Sequence, residues 1–148
     1  MSLILDGTSG ITTPGPVNGA ATMLSPITNA LSGDVALNNT GLYFTGPTVA
    51  QGTSGTWFVS GSVTLRDTAG SATFFIKLWD GTTVIQATGL YVTGANLTNS
   101  VNLSGYITAP AGNLRISVQD LSSTSGFIKY DITSNGGKDS TITAIRIG

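Results

Sequence analysis

Seven aspartates carry all the side-chain acidity of this chain: Asp6, Asp34, Asp67, Asp80, Asp120, Asp131 and Asp139. Histidine, cysteine and glutamate are absent. General acid–base chemistry near neutral pH uses histidine or a carboxylate raised by burial, so here it reduces to aspartate pairs, lysine and serine. Asp67 and Asp80 bracket one strand-like stretch, and Asp120 and Asp131 fall on what read as neighbouring strands. A glycosidase-type pair needs two carboxyls flanking a cleft, and no cleft is legible. Each of these aspartates also stands beside a turn, where its side chain bonds its own backbone. Turn and surface roles are the preferred reading, so the chain is expected to be no enzyme and to have no catalytic residue.

Metal and phosphate chemistry are no better served. Ca²⁺ takes roughly six to eight oxygens, and the loop "SNGGKD" offers only Asn135 and Asp139, with no D-x-D pattern anywhere. Gly136-Gly137 lacks the strand and following helix of a phosphate loop. No metal and no cofactor is expected. Three Asn-x-Ser/Thr triplets, at Asn38, Asn96 and Asn102, arise by chance in a chain this rich in those residues, and they matter only in a eukaryotic secretory setting.

Aromatic rings are the remaining candidates for contact. Phe75 and Trp79 fall on the expected outer face of one strand and Tyr106 on that of another. Exposed rings stack on sugar faces in carbohydrate-binding β-sandwiches, which makes Trp79, Tyr91 and Tyr106 candidate glycan or receptor contacts. Subunit interfaces are equally enriched in Tyr, Trp and Phe, and Phe75 is assigned to that role.

The elements that must position these residues are strands. The hydrophobic content is 40%, only 9% of residues are charged, and the net charge is −1. That balance argues against disorder and against nucleic acid, which needs a basic surface. No apolar run is long enough for a membrane-spanning helix. The apolar cluster Leu3-Ile4-Leu5 is too short for a signal peptide and has no basic flank.

Period-two alternation recurs along the chain. In "TWFVSGSVTLRD" Trp57, Val59, Val63 and Leu65 share a face; in "ATFFIKLWDG" Phe74, Ile76 and Leu78 do. "SVNLSGYIT", "NLRISVQ" and "FIKYDIT" repeat the pattern, and Asp80-Gly81 suits a hairpin turn. With "GLYFTGPTV" this makes about eight short antiparallel strands, which close as a sandwich or barrel. The fold expected is an all-β antiparallel jelly roll spanning 41–148, with a plain immunoglobulin-like sandwich as the alternative. Residues 1–40 are read as an extended attachment arm. Within it Ser25 and Pro26 suit the start of a short helix near 26–32, with Gly33 just past its end.

The terminal stretch "STITAIRIG" departs from alternation, placing Ile142, Ile145 and Ile147 on both faces. A strand apolar on both faces needs cover on both. It lies centrally beneath the arm, carries a bulge near Ala144, or meets another subunit; Ile142, Ile145 and Ile147 are assigned to a subunit interface with Phe75.

The strand and turn pattern of "GTWFVSGSVTL", "FFIKLWDGTTVI", "SVNLSGYITAPAGNLRISVQD" and "KDSTITAIRIG" resembles the small trimeric jelly rolls of bacteriophage structural proteins, which look like tumour-necrosis-factor and complement-type heads. "LILDGTSGITTPG" is similar to short segments of phage tail fibres and related appendages. The resemblance implies a non-enzymatic virion protein, a tail fibre, head spike or capsid decoration, that is homotrimeric and sits on the extracellular surface of a particle assembled in the bacterial cytoplasm. It implies a capsid or tail protein as partner, reached through the arm, and a host surface glycan or protein on the far side. The Pro- and Gly-rich arm suits this role, because Leu3, Ile4, Leu5 and Ile11 can add a strand to a neighbour's sheet edge. A carbohydrate-binding β-sandwich module is the alternative function.

Overall fold

A computed structural model of the chain describes residues 4–6, 10–12, 25–134 and 136–148. Among them are twelve strands and no helix: β1 (Ile4–Asp6), β2 (Gly10–Thr12), β3 (Ile27–Ala30), β4 (Val35–Leu37), β5 (Phe44–Val49), β6 (Thr56–Asp67), β7 (Ala72–Trp79), β8 (Val84–Val92), β9 (Thr98–Thr108), β10 (Leu114–Asp120), β11 (Gly126–Lys129) and β12 (Thr141–Arg146). β1 and β2 pair only with each other, Leu5 opposite Ile11. The remaining ten form two antiparallel sheets.

One sheet has the order β5-β10-β7-β8. The other is built on β6, whose whole length pairs with β9 on one side, from Thr56↔Thr108 to Arg66↔Thr98. On its other side β12 covers the first half and β11 the second, with β3 outside β12 and β4 outside β11. Where β6 passes from one partner to the other, Ser140 bridges the gap. Its Oγ accepts from Thr64 N and donates to the Lys129 carbonyl.

Alternation decides what lies between the sheets. Val59, Val63 and Leu65 of β6 face Phe74, Ile76 and Leu78 of β7 and Leu114, Ile116 and Val118 of β10, all essentially without solvent exposure. β-branched and aromatic side chains suit such pleated, half-covered surfaces. Gly61 interrupts the inner row because no side chain fits: a Cβ there would lie 2.6 Å from the Thr141 carbonyl and 2.9 Å from Ile116. Side-chain amides close both open edges of the sandwich. Gln86 Oε1 accepts from Ser104 N between β8 and β9, and Asn29 donates to the Thr48 carbonyl between β3 and β5.

Three sequence expectations change here. The segment near 26–32 is strand β3, not a helix. A segment that short gains little from helical bonds alone, whereas pairing Ala144↔Ile27 through Thr141↔Ala30 satisfies the outer edge of β12. β3 and β4, inside the stretch assigned to the arm, are strands of the sandwich, which raises the strand number from about eight to ten. The terminal strand does alternate: Ile142 and Ala144 are fully buried, while Thr141, Thr143 and Ile145 point outward. Its register against β6 runs without a shift, so there is no bulge at Ala144.

Candidate functional site

The carboxylates come first, as the only acids. Four aspartates stand at or just past strand ends and brace the following turn through their own oxygens. Asp67 accepts from Ala69 and Gly70 N–H, Asp80 from Thr82 and Thr83, Asp120 from Ser122 and Ser123, and Asp131 from Thr133, Gly136 and Gly137. Asp80 also accepts from Ala111 N–H at 2.7 Å, pinning the β7–β8 hairpin to the β9–β10 loop. In the 131–139 loop Asp139 accepts from Ile132 N–H; Asn135 lies outside the described residues. Asp120 and Asp131, paired in the sequence reading, serve separate turns.

The approach that does occur is between Asp67 and Asp120, on different sheets. Both are fully buried. Ser123 Oγ donates to Asp67 Oδ2 at 2.5 Å and stands 3.4 Å from Asp120 Oδ2. Burial raises both pKa values, but hydrogen bonds from Ser123, Ala69, Asp120 and Gly70 bring Asp67 below its ordinary value. For Asp120 burial and the adjacent Asp67 charge outweigh its two backbone bonds, and its pKa is raised. Between those two values the pair holds one proton. The pair fastens the β6–β7 and β10–β11 turns together, and in this arrangement neither acid reaches solvent. Sequence reasoning missed it because nothing local says which strand ends will meet.

The second ionic contact is Lys129 with Asp34, which also accepts from Tyr130 N–H at 2.9 Å. Partial burial raises the Asp34 pKa, but the Lys129 hydrogen bond and charge and the Tyr130 amide lower it further, so it ends below the ordinary value.

The aromatics lie where alternation put them, but on two opposite surfaces. Phe75 (44% exposed), Lys77 and Trp79 stand on the outer face of the four-stranded sheet, with Tyr91 (62%) on the neighbouring β8. Trp79 is no free stacking platform. Its Nε1 donates to Ser117 Oγ at 2.9 Å, and the Lys77 ammonium lies 3.4 Å from the ring centroid. A sugar ring would have to displace that cation.

The outer face of the six-stranded sheet carries the other group. Tyr106 (66% exposed) packs on Phe58 with centroids 5.1 Å apart, and Ile145 pairs with Phe58 on its far side. Beside this row lie Ser104, Ser60, Thr143 and Thr28, then Asn102, Ser62, Thr141 and Ala30; on the other side lie Thr108 and Thr56. None of these residues is charged. Thr28 and Thr143 hydroxyls are 2.9 Å apart, and those of Thr56 and Thr108 are 3.0 Å apart.

Of the proposed interface residues, then, Ile142 is core, Ile145 and the 48%-exposed Ile147 are outward or open, and Phe75 is on the opposite surface of the sandwich. A single flat contact cannot use Phe75 together with Ile145. Leu3, an anchoring candidate, lies outside the described residues, and Ile4, Leu5 and Ile11 fall in β1 and β2.

Comparison with solved structures places the fold. The chain is similar to the structure of Eiger TNF from S. frugiperda, with a TM-score of 0.51 and 10% identity over 83% of this chain and 92% of that one. The fold is a jelly roll. Looser likenesses are the C-terminal CBM6 of LamC, a marine laminarinase from Zobellia galactanivorans (TM-score 0.42, 15% identity, 82% of this chain and all of that one), and the infectious bursal disease virus VP2 subviral particle (0.36, 11%, 99% of this chain and 42% of that one). No family model matches the chain, and no curated protein does.

Proposed function

We propose that this jelly roll is a non-enzymatic structural head of a phage or phage-like virion, a fibre, spike or decoration protein that works as a homotrimer held by its N-terminal arm. The observation that carries the reading is the uncharged part of the outer face of the six-stranded sheet, centred on Tyr106, Phe58 and Ile145 and ending before Arg66 and Lys129 on the same face. Charge depletion with aromatic enrichment is the composition of an interface core. Hydroxyls donate and accept alike, so the surface can meet a different patch of a neighbouring copy, the heterologous contact that a closed three-fold ring requires. Four strands by four side-chain rows span about 19 by 27 Å, or about 500 Å² projected. Packed on an equal area of a neighbouring copy, the surface buries about 1,000 Å² in all, the lower end for a specific contact. The absent histidine, cysteine and glutamate and the turn-bracing aspartates support a role without catalysis.

Light scattering on the full chain tests this. A trimer that becomes monomeric on Tyr106→Asp supports it, and a wild-type monomer at micromolar concentration sinks it. Because β3 belongs to the sandwich, an arm deletion must end at residue 24; it is expected to leave the head folded and trimeric and to abolish particle attachment.

The carbohydrate-binding reading keeps one observation in its favour, the open Tyr91 ring beside Phe75. Glycan binding by a monomer, lost on Tyr91→Ala, would favour it.

A further inference from the structure

The outer face of the four-stranded sheet holds two cations with no anion. β7 directs Lys77 and Trp79 outward, and β10 sets Arg115 directly across from Trp79 and Ser117 across from Lys77. The Lys77 ammonium sits between two rings, 3.9 Å from the Tyr43 centroid and 3.4 Å from that of Trp79. The Arg115 guanidinium carbon is 5.0 Å from the same indole. Arg115 Nε is buried without a hydrogen-bond partner.

Every aspartate from residue 25 onward is engaged elsewhere. Asp34 holds Lys129, and Asp67 and Asp120 hold each other through Ser123. Asp131 and Asp139 accept from backbone amides of their own loop. Asp80 stands closest in sequence to Trp79, but it is 3% exposed and accepts three backbone N–H groups.

A lysine over an indole is a common cation–π pair, and it accounts for Lys77 and Trp79 alone. It does not account for a second cation brought onto the same ring, where burial and the Arg115 charge lower the Lys77 pKa. Nor does it account for a guanidinium donor left orphaned. Both features are relieved by one event, arrival of an oxyanion, which a guanidinium meets with two parallel hydrogen bonds.

We propose that Lys77 and Arg115, framed by Trp79 and Tyr43, form a binding site for an oxyanion, the carboxylate or phosphate ester of a ligand meeting this sheet face. The exposed rings of Tyr43 and Phe75 border the charged centre and offer apolar contact to the rest of that ligand. The site is on the opposite surface from the Tyr106 face, so it does not depend on the trimer.

The test titrates the full chain with oligogalacturonate, polyphosphate and a neutral malto-oligosaccharide, reading tryptophan emission and calorimetric heat. Trp57 is buried and Trp79 reports on the patch. Saturable binding of either anion is expected, weakening as salt rises, with no response to the neutral sugar; the anion that binds names the source as carboxylate or phosphate. Arg115→Gln and Lys77→Gln should each weaken binding about tenfold or more, with thermal melts confirming that both variants fold. Lys138→Gln, at an exposed position of the 131–139 loop, should leave it unchanged. No binding of either anion, equal binding of the neutral sugar, or equal loss in Lys138→Gln would overturn the site.

Discussion

Asp67 at the end of β6 and Asp120 at the end of β10 meet across the two sheets, with one serine hydroxyl, Ser123 Oγ, 2.5 Å and 3.4 Å from their facing oxygens. The arrangement joins two turns that are otherwise linked by backbone bonds from Thr68 to Ser125 and from Leu121 to Thr73.

Its energetics depend on pH with opposite signs. Asp67, lowered in the fold, contributes stability above the ordinary aspartate value, lost as pH falls through its folded pKa. Asp120, raised, contributes below the ordinary value and loses it as pH rises through its folded pKa. The pair therefore stabilises most between those two folded values and weakens as pH rises through that of Asp120. Asp120→Asn keeps a donor toward Asp67 without a second charge. Its melting temperature should exceed the wild type's above the folded Asp120 pKa, by a margin that shrinks on acidification. A margin constant from about pH 4 to about pH 8 would contradict the shared proton.

Gly61 is expected to tolerate no methyl group. Gly61→Ala presses a Cβ against the β12 backbone and Ile116 and should cost about 1–3 kcal/mol in urea unfolding. Gly33→Ala, with open space around it, should stay within about 0.5 kcal/mol of the wild type.

Ile142 and Ile145 should part company. Ile142→Ala empties a fully buried site and should cost about 2–5 kcal/mol, with the oligomer mass unchanged where the protein remains folded. Ile145→Asp puts a charge on the uncharged Tyr106–Phe58 patch and should lower the mass in light scattering with little change in monomer stability. A trimer that survives Ile145→Asp would exclude this row from the interface.

Asp34→Asn leaves Lys129, 8% exposed, without its counter-ion. The partner carboxylate is about a third exposed, so the solvent-discounted cost is about 1 kcal/mol. Because the Asp34 pKa is lowered in the fold, that stabilisation is present above the ordinary aspartate value and disappears as pH falls through the folded one. Denaturation midpoints of variant and wild type should converge in acid.

Much of this architecture was readable along the chain. Alternation in 56–67, 72–79 and 114–120 assigned inner and outer faces correctly, and Asp80-Gly81 marked a real hairpin, Gly81 having φ of 99°. These are local properties: successive side chains in a strand point to opposite faces whatever the strand pairs with. The outward placement of Phe75, Lys77, Trp79 and Tyr106 follows from the same rule.

The sites themselves were not local. Ser25-Pro26 favours a helix start in isolation, yet the open edge of β12 claims Ile27–Ala30 as a strand. Ile142 and Ile145 look alike in the sequence, and only the register Ile142↔Gly61 turns the first inward. Arg115 faces Trp79, and Asp120 reaches Asp67, because β10 pairs with β7 and the second sheet packs against the first. By itself the sequence determined the strands, their faces and their turns, since these depend on neighbouring residues. Which acids, cations and rings share a surface was decided by pairing between distant segments, because register brings side chains together without regard to their distance along the chain.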